Sequence, residues 1–351
     1  MLLLKSFDLT EKSTVIILVA ILFFYIAFSF NELFIDECTG LGDCFDYDRR
    51  MARISVWDID WIADDFRHFV HLSLLVFSKE LFGNPKVLVL ASSAILLLLT
   101  YLVTFNLTGK RIAGITALLV VLSSSIFRTY DTSVTYPSFW ATLFLFSMYL
   151  FTTRFWAGSS LTYLTTIPAK AVTAFFFPAF IGFILLSDCQ TKKTKVKLLA
   201  IFLFLIVVGL VFVFLIDDRT AFPFFTLDYF TPMNFLSGFV SWMWKGFAGD
   251  QITLLLLFAS GFIVFSNRKV IRNSNAVLVL LAGIVLTSPF LISLTTYDVW
   301  PYRELPLVIV IGILTGMLVG FYDKINWKAF SLNKRTKGSA SNQEEHPHYK
   351  Q

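Results

Sequence analysis

Ten apolar segments divide this chain, and they limit its possible folds more than any other feature of the sequence. They cover residues 13–30, 87–105, 112–127, 137–152, 159–167, 169–186, 196–216, 251–265, 276–294 and 305–321. About 20 apolar residues cross a bilayer, so the segment before Pro168 is too short to cross alone and predicts a half-helix. With 56% hydrophobic residues, the sequence predicts an all-α polytopic membrane protein of about ten transmembrane or half-spanning helices.

The charged residues are divided unevenly between the loops. If all ten segments cross, 18 of the 29 Lys and Arg fall on the side of the two termini, and 18 of the 24 Asp and Glu fall on the other side. Lys and Arg mark the cytoplasmic side, so we expect cytoplasmic termini and a place in the cell membrane. The net charge of +5 is then explained by the Lys and Arg that orient the apolar segments in the membrane. We expect membrane lipid to be the anionic partner of these residues, and no nucleic acid.

The domain organisation follows from the same pattern. Residues 1–325 form one transmembrane domain, whose first segment is interpreted as a retained anchor because no small-x-small cleavage pattern closes it. Two long loops are extracytoplasmic, at 31–86 and at 217–250. The basic and polar tail, 326–351, is predicted to be cytoplasmic and disordered.

The first long loop is predicted to contain an interfacial helix over residues 64–82. Asp64 or Asp65 can cap its start, and Gly83 followed by Asn-Pro ends it. His68 and His71 either meet a ligand together or pack in the interface or in the core. The apolar residues that the helical period places near one face are Phe66, Phe69, Val70, Phe77 and Leu81.

An acidic pair, Asp36 and Glu37, follows the first apolar segment within a few residues. A carboxylate so close to a membrane surface is partly desolvated and can act as a general base on a hydroxyl group. A solvated loop pair is the alternative. The pair is the candidate catalytic site of the sequence.

Two further patterns in the same loop suggest a metal ion and a disulfide. Asp58 and Asp60 share one face of an extended chain, which suits a divalent cation, the only cofactor that the sequence suggests. A chance match in an acidic loop is the alternative. Cys38 and Cys44 flank a glycine-containing stretch and either form a disulfide in an oxidising exterior or remain free thiols.

Several cations are predicted on the extracytoplasmic side, where the orientation rule disfavours them. They are Arg67, Arg128, Lys170 and Arg303, and Asp131 lies close to Arg128. Such cations need anionic partners, and an arginine guanidinium group can form a bidentate pair of hydrogen bonds with phosphate oxygens. We therefore interpret these residues and Asp131 as substrate-binding candidates. The alternatives are an ion pair of Arg303 with Asp298 or Glu304, and contact with lipid headgroups.

Five short motifs, in this order, resemble those of a known superfamily. They are Phe34-Ile-Asp36-Glu37, Leu74-Leu-Val-Phe-Ser-Lys-Glu-Leu-Phe82-Gly83, Leu107-Thr-Gly109-Lys-Arg111-Ile-Ala-Gly114, Ile167-Pro-Ala-Lys170 and Pro301-Tyr-Arg303-Glu-Leu-Pro306. Together they resemble the GT-C superfamily of polyprenyl-phosphate-sugar glycosyltransferases, in particular protein O-mannosyltransferases and lipid A aminoarabinose transferases. The usual His-Pro-Pro before the interfacial helix is missing; Arg67-His68-Phe-Val-His71 stands near that place.

The resemblance implies a membrane enzyme that takes a sugar from a lipid phosphate within the bilayer and gives it to an acceptor from outside. It implies that Asp36 is the general base and that Lys170, Arg303 and Arg128 steady the leaving phosphate. Two other functions stay open: a non-catalytic subunit of a membrane complex, and a lipid or solute transporter. A transporter is expected to carry ionisable groups deep in its helices, and Lys170 is the nearest case.

Overall fold

The computed structural model describes residues 8–35, 44–59, 68–134, 138–170, 173, 176–188, 191–216, 232–295, 304–325 and 327. In these residues the fold is all-α, with 14 α-helices and no strand, as predicted. The helices are α1 (Glu11–Ser29), α2 (Cys44–Ser55), α3 (Phe69–Phe82), α4 (Lys86–Thr108), α5 (Arg111–Ser123), α6 (Ser125–Tyr130), α7 (Ser138–Thr152), α8 (Trp156–Ala169), α9 (Phe177–Leu186), α10 (Lys192–Ile216), α11 (Pro232–Ser241), α12 (Gln251–Ser266), α13 (Ser274–Thr295) and α14 (Leu305–Gly320).

Helix length bears directly on the prediction of about ten crossings. Among the described residues, two helices are long and apolar enough to cross a bilayer, over Glu11–Phe34 and Lys86–Thr108, and six more apolar helices have 10–17 residues. At about 1.5 Å per residue, the 14 residues of α8 extend about 21 Å, which is less than the roughly 30 Å of bilayer hydrocarbon. Length and composition alone are thus weak evidence for a membrane.

The described turns between the helices lie at two ends of the bundle, which we call the upper end and the lower end. At the upper end, the Asn84 amide donates to Leu33 O at 2.8 Å, and Ser125 Oγ donates to Gly249 O at 2.6 Å. At the lower end, the Asn273 amide donates to Leu107 O at 2.7 Å. In the described residues, turns predicted to be extracytoplasmic therefore meet at the upper end, and two of the basic turns, after Leu107 and before Asn273, meet at the lower end.

Helix α14 forms the centre of the bundle and is buried along nearly its whole length. It packs on α5 through glycines: a Cβ built on Gly312 would lie 2.8 Å from Ala117 O, and Gly316 approaches Ala113 O in the same way. Small residues let two helix backbones approach closely, which is a common packing mode in membranes. This contact fixes α5, and with it the start of α6 at the upper end.

The first long loop contains a helix within the range predicted for it. Helix α3 is described over Phe69–Phe82, and its predicted start at Asp64 or Asp65 lies outside the described residues. Its end is as predicted, because Gly83 adopts the left-handed conformation with a φ of 71°. Phe77 and Leu81, two residues of the predicted apolar face, are exposed, whereas Leu72 and Leu75 are buried against the protein.

Helix α2 was not predicted, because the sequence before Trp61 reads as a polar, acidic loop. Tyr47, Met51 and Ile54 are buried at helical spacing and pack with Leu72 and Leu75 of α3 in a small core of their own. This core places α2 and α3 over the upper end, beside the start of α4.

Candidate functional site

Polar side chains from α1 and from the turn after α6 meet at the upper end. Tyr25, Ser29 and Glu32 are spaced four and three residues apart, so they share one face at the end of α1 and its following 3-10 turn. Asp131 and Thr132 face them from the turn after α6. We call these five residues the acidic cluster.

The position of the turn is fixed by two side-chain hydrogen bonds. Ser93 of α4 is fully buried and its hydroxyl donates to the Asp131 carbonyl at 2.7 Å. The Thr132 hydroxyl donates to Glu32 Oε2 at 2.8 Å, which ties the turn to the end of α1. The two carboxylates are thus held near one another by residues that are a hundred positions apart in the chain.

Asp131 is 4% exposed, and its carboxyl group is incompletely bonded. The Tyr25 and Ser29 hydroxyls are its neighbours, yet within the described part of the chain neither Tyr25 Oη nor Asp131 Oδ1 makes a hydrogen bond of normal geometry. Burial raises the pKa of Asp131 to about 7, and the Glu32 carboxylate adds to this rise. Near neutral pH Asp131 can therefore both accept and donate a proton.

A second buried carboxylate at the upper end has a structural role. Asp250 Oδ2 accepts from Ser124 Oγ at 2.5 Å, and Oδ1 accepts from Thr253 N at 3.3 Å. Asp250 thereby caps the N-terminus of α12 and links it to the start of α6.

The predicted catalytic pair lies outside the described residues, as do four other predicted site residues. The six are Asp36, Glu37, Cys38, Asp60, Arg67 and Arg303. Asp36 directly follows Ile35, the last described residue of the turn that carries Glu32. The chain therefore leaves the acidic cluster immediately before the predicted catalytic pair.

The structure separates Arg128 from Asp131, which the sequence grouped together. Arg128 is exposed on α6, whereas Asp131 is buried, and no ion pair joins them among the described contacts. Lys170 ends α8 at the upper end and is half-buried. Arg128 and Lys170 thus both lie at the end of the bundle that carries the acidic cluster.

The area near Lys170 contains a neutral histidine. His71 is buried against the rings of Tyr47 and Phe139, and its Nε2 lies 2.9 Å from Val134 O. Burial lowers the pKa of His71 to about 3, with Lys170 contributing. His71 is thus uncharged at neutral pH. It packs in the small core, which is the packing role that the sequence predicts as the alternative to binding a ligand together with His68.

The predicted metal and disulfide residues are only partly described. Asp58 forms an ion pair with Arg53 at 2.9 Å. Among the described residues, no group of three or more His, Cys, Asp or Glu is placed to hold a metal ion. Cys44 begins α2, and its predicted partner lies outside the described residues. The cation and the disulfide stay predictions.

Sequence reasoning missed four residues of the acidic cluster, Tyr25, Ser29, Glu32 and Thr132. The spacing of Tyr25, Ser29 and Glu32 is a usable signal, since polar residues on one face of an apolar helix indicate a buried polar contact. The partner of that face, however, is set by tertiary structure alone.

Comparison of the chain with protein family models, with curated proteins and with solved structures gives no match. The short motifs and the geometry of the upper end are therefore the basis for any functional assignment.

Proposed function

We propose that this protein is an integral-membrane glycosyltransferase that moves a sugar from a polyprenyl-phosphate carrier to an acceptor on the extracytoplasmic face. The observation that carries the proposal is the acidic cluster. It combines an incompletely bonded Asp131 carboxyl with Glu32, and the chain continues from it directly into Asp36 and Glu37.

The surface of the bundle supports a membrane location. Only 17% of the apolar window of α1 and its following turn is buried. Helix α12 exposes apolar side chains one to two turns apart, among them Ile252, Leu255, Phe258 and Phe262. Stripes of this kind are disfavoured on a surface in water, whereas contact with lipid tails suits them. The upper end is then one face of the membrane.

The proposed reaction is a single displacement at the anomeric carbon. The acceptor oxygen bonds to that carbon while the bond to the carrier phosphate breaks. The Asp36 carboxylate takes the acceptor proton, and the departing lipid phosphate keeps the bonding electron pair. Lys170, Arg128 and Arg303 stabilise the charge that develops on the phosphate. Asp131, with its pKa near 7, accepts or returns a proton at the upper end.

The test uses purified protein in lipid vesicles with radiolabelled polyprenyl-phosphate sugars and envelope extracts as acceptors. We expect Asp36→Asn to lower transfer by at least about 100-fold, the lower bound for a lost general base. Asp48→Asn is the matched control, because Asp48 is exposed on α2 in the same loop. Unchanged sugar transfer in Asp36→Asn would reject Asp36 as the base. If no preparation, the wild type included, transfers sugar, the result would favour a non-catalytic subunit.

A proton-coupled transporter is a second candidate, and the burial of Asp131 beside Tyr25 favours it. Two substitutions, Asp131→Asn and Asp36→Asn, distinguish the two functions. In a transporter, Asp131→Asn abolishes proton flux into vesicles and Asp36→Asn leaves it unchanged. In a transferase, both substitutions lower sugar transfer and no solute-dependent proton flux occurs.

A further inference from the structure

Two buried oxygen atoms of the acidic cluster lie side by side without a hydrogen bond of normal geometry. Tyr25 is 5% exposed and Asp131 is 4% exposed, and within the described part of the chain Tyr25 Oη and Asp131 Oδ1 have no hydrogen-bond partner. The two side chains are neighbours, although one lies on α1 and the other follows α6. A buried polar atom without a bond is costly. Two such atoms at one place indicate a ligand that bonds to both.

The polar side chains around these two atoms supply further oxygens. The Ser29 hydroxyl neighbours the Asp131 carboxyl group, and the Ser93 hydroxyl neighbours that of Tyr25. Ser93 Oγ donates its proton to Asp131 O at 2.7 Å, so towards Tyr25 it presents lone pairs. Helix α1 ends here, and a helix C-terminus carries a partial negative charge. Oxygen donors in a negative potential suit a hard cation.

The charge of the cluster favours a singly charged cation. Its carboxyl groups belong to Glu32 and Asp131, and Glu32 Oε2 already accepts from Thr132 Oγ1 at 2.8 Å. Among the described residues, no group of three or more His, Cys, Asp or Glu is placed to hold a metal ion. Ca²⁺ takes about six to eight oxygen ligands, several of them from carboxylates, and Mg²⁺ keeps most of its waters. One aspartate with neutral hydroxyl groups balances a single positive charge.

We propose that the acidic cluster, together with Ser93, is a binding site for Na⁺. Asp131 supplies the charged ligand, and the hydroxyl oxygens of Tyr25, Ser29 and Ser93 supply neutral ones. Glu32 adds negative potential at the edge of the site. The ion binds the ionised form of Asp131, so Na⁺ and a proton compete for the same carboxyl group. Binding of Na⁺ at this place does not depend on sugar transfer.

The first experiment measures the binding of radioactive Na⁺ to the purified full-length protein in detergent. The measurement is made at pH 8, above the Asp131 pKa of about 7, so that the carboxyl group is ionised. Choline chloride keeps the ionic strength constant. We expect saturable binding that unlabelled Na⁺ displaces and choline does not. A wild type without saturable binding would overturn the site.

Three variants locate the ion. Asp131→Asn removes the charged ligand and is expected to weaken Na⁺ binding by at least about tenfold, whereas Tyr25→Phe removes one neutral ligand and weakens it by about 3- to 10-fold. Asp250→Asn is the matched control, because Asp250 is also buried but has partners on both oxygens. It should bind Na⁺ like the wild type. Wild-type affinity in Asp131→Asn, or an equal loss in Asp250→Asn, would overturn the assignment to the cluster.

A second measurement reports the ligand directly. Infrared difference spectra at pH 7 compare the protein in NaCl with the protein in choline chloride. In the wild type, Na⁺ is expected to reduce the signal of the protonated carboxyl group, because the ion displaces the proton; in Asp131→Asn this change is absent. Identical wild-type spectra in the two salts would overturn Asp131 as the ligand. Neither experiment measures sugar transfer, so failure of the proposed function and failure of the Na⁺ site give different results.

Discussion

Two buried aspartates at the upper end differ in how their carboxyl groups are bonded. Asp131 and Asp250 are similarly buried, at 4% and 6% exposed. Asp250 has partners on both oxygens, from Ser124 Oγ and Thr253 N. Among the described residues, Asp131 Oδ1 has no hydrogen-bond partner of normal geometry, although the Tyr25 hydroxyl is beside it.

The difference teaches that burial alone does not identify a chemical site. A fully bonded buried carboxylate stabilises the fold, because its desolvation is offset by its donors. A buried carboxyl group with an oxygen that has no hydrogen-bond partner, such as Asp131 Oδ1, keeps part of the cost of burial, and burial raises its pKa. On this argument, Asp250 has a structural role at the upper end, and Asp131 is the candidate for chemistry there.

The largest expected effect is on activity at Asp131. Asp131→Asn keeps the shape of the side chain and removes the titratable group, so we expect sugar transfer to fall by roughly 100- to 1,000-fold. Stability should not decrease, because the variant no longer buries an incompletely bonded carboxyl. Initial rates of transfer and a thermal unfolding curve in detergent measure the two quantities. Transfer within threefold of the wild type would remove the chemical distinction between the two aspartates.

The reverse pattern is expected at Asp250. Asp250→Ala removes the cap of α12 and leaves the Ser124 hydroxyl without its acceptor. We expect a loss of about 2–4 kcal/mol in the free energy of unfolding. The correctly folded fraction should transfer sugar at close to the wild-type rate per molecule. A stable but inactive Asp250→Ala protein would contradict the structural role.

The pH dependence of stability gives a third comparison. The pKa of Asp131 is raised from an ordinary value of 3.8 to about 7 in the folded protein. Between these values the folded state binds more protons than the unfolded state, so stability falls as pH rises from about 4 to 7. Asp131→Asn should lack this decrease, which we expect to be on the order of 2–4 kcal/mol. Unfolding curves at several pH values measure it, and parallel pH dependences of wild type and variant would contradict it.

The smallest effect is expected at Tyr25. Its hydroxyl lies beside the Asp131 carboxyl group and lowers the pKa of Asp131, so Tyr25→Phe should raise that pKa further and move the pH profile of transfer upwards by less than about one unit. Stability should change by less than about 1 kcal/mol, since the hydroxyl makes no normal hydrogen bond within the described residues. A downward shift of the profile would contradict the proposed contact.

The sequence predicts the all-helical fold and the turn at Gly83, because both depend on local patterns. It does not predict α2, since Asp and Arg residues conceal the spacing of Tyr47, Met51 and Ile54. For the site, Asp131 could be named from its position, but the contact of its neighbour Thr132 with Glu32 could not. That contact joins residues a hundred positions apart, and it depends on how α1 packs beside α4 and α6.

The most direct test of this account is the protonation of Asp131 itself. Infrared difference spectra of the purified protein in vesicles, recorded from pH 5 to pH 9 for the wild type, Asp131→Asn and Asp250→Asn, report the signal of a protonated carboxyl group. The account predicts a carboxyl signal that titrates near pH 7 in the wild type and in Asp250→Asn and is lost in Asp131→Asn. A wild-type spectrum with no carboxyl titration near neutral pH, or a titration that persists in Asp131→Asn, would contradict it.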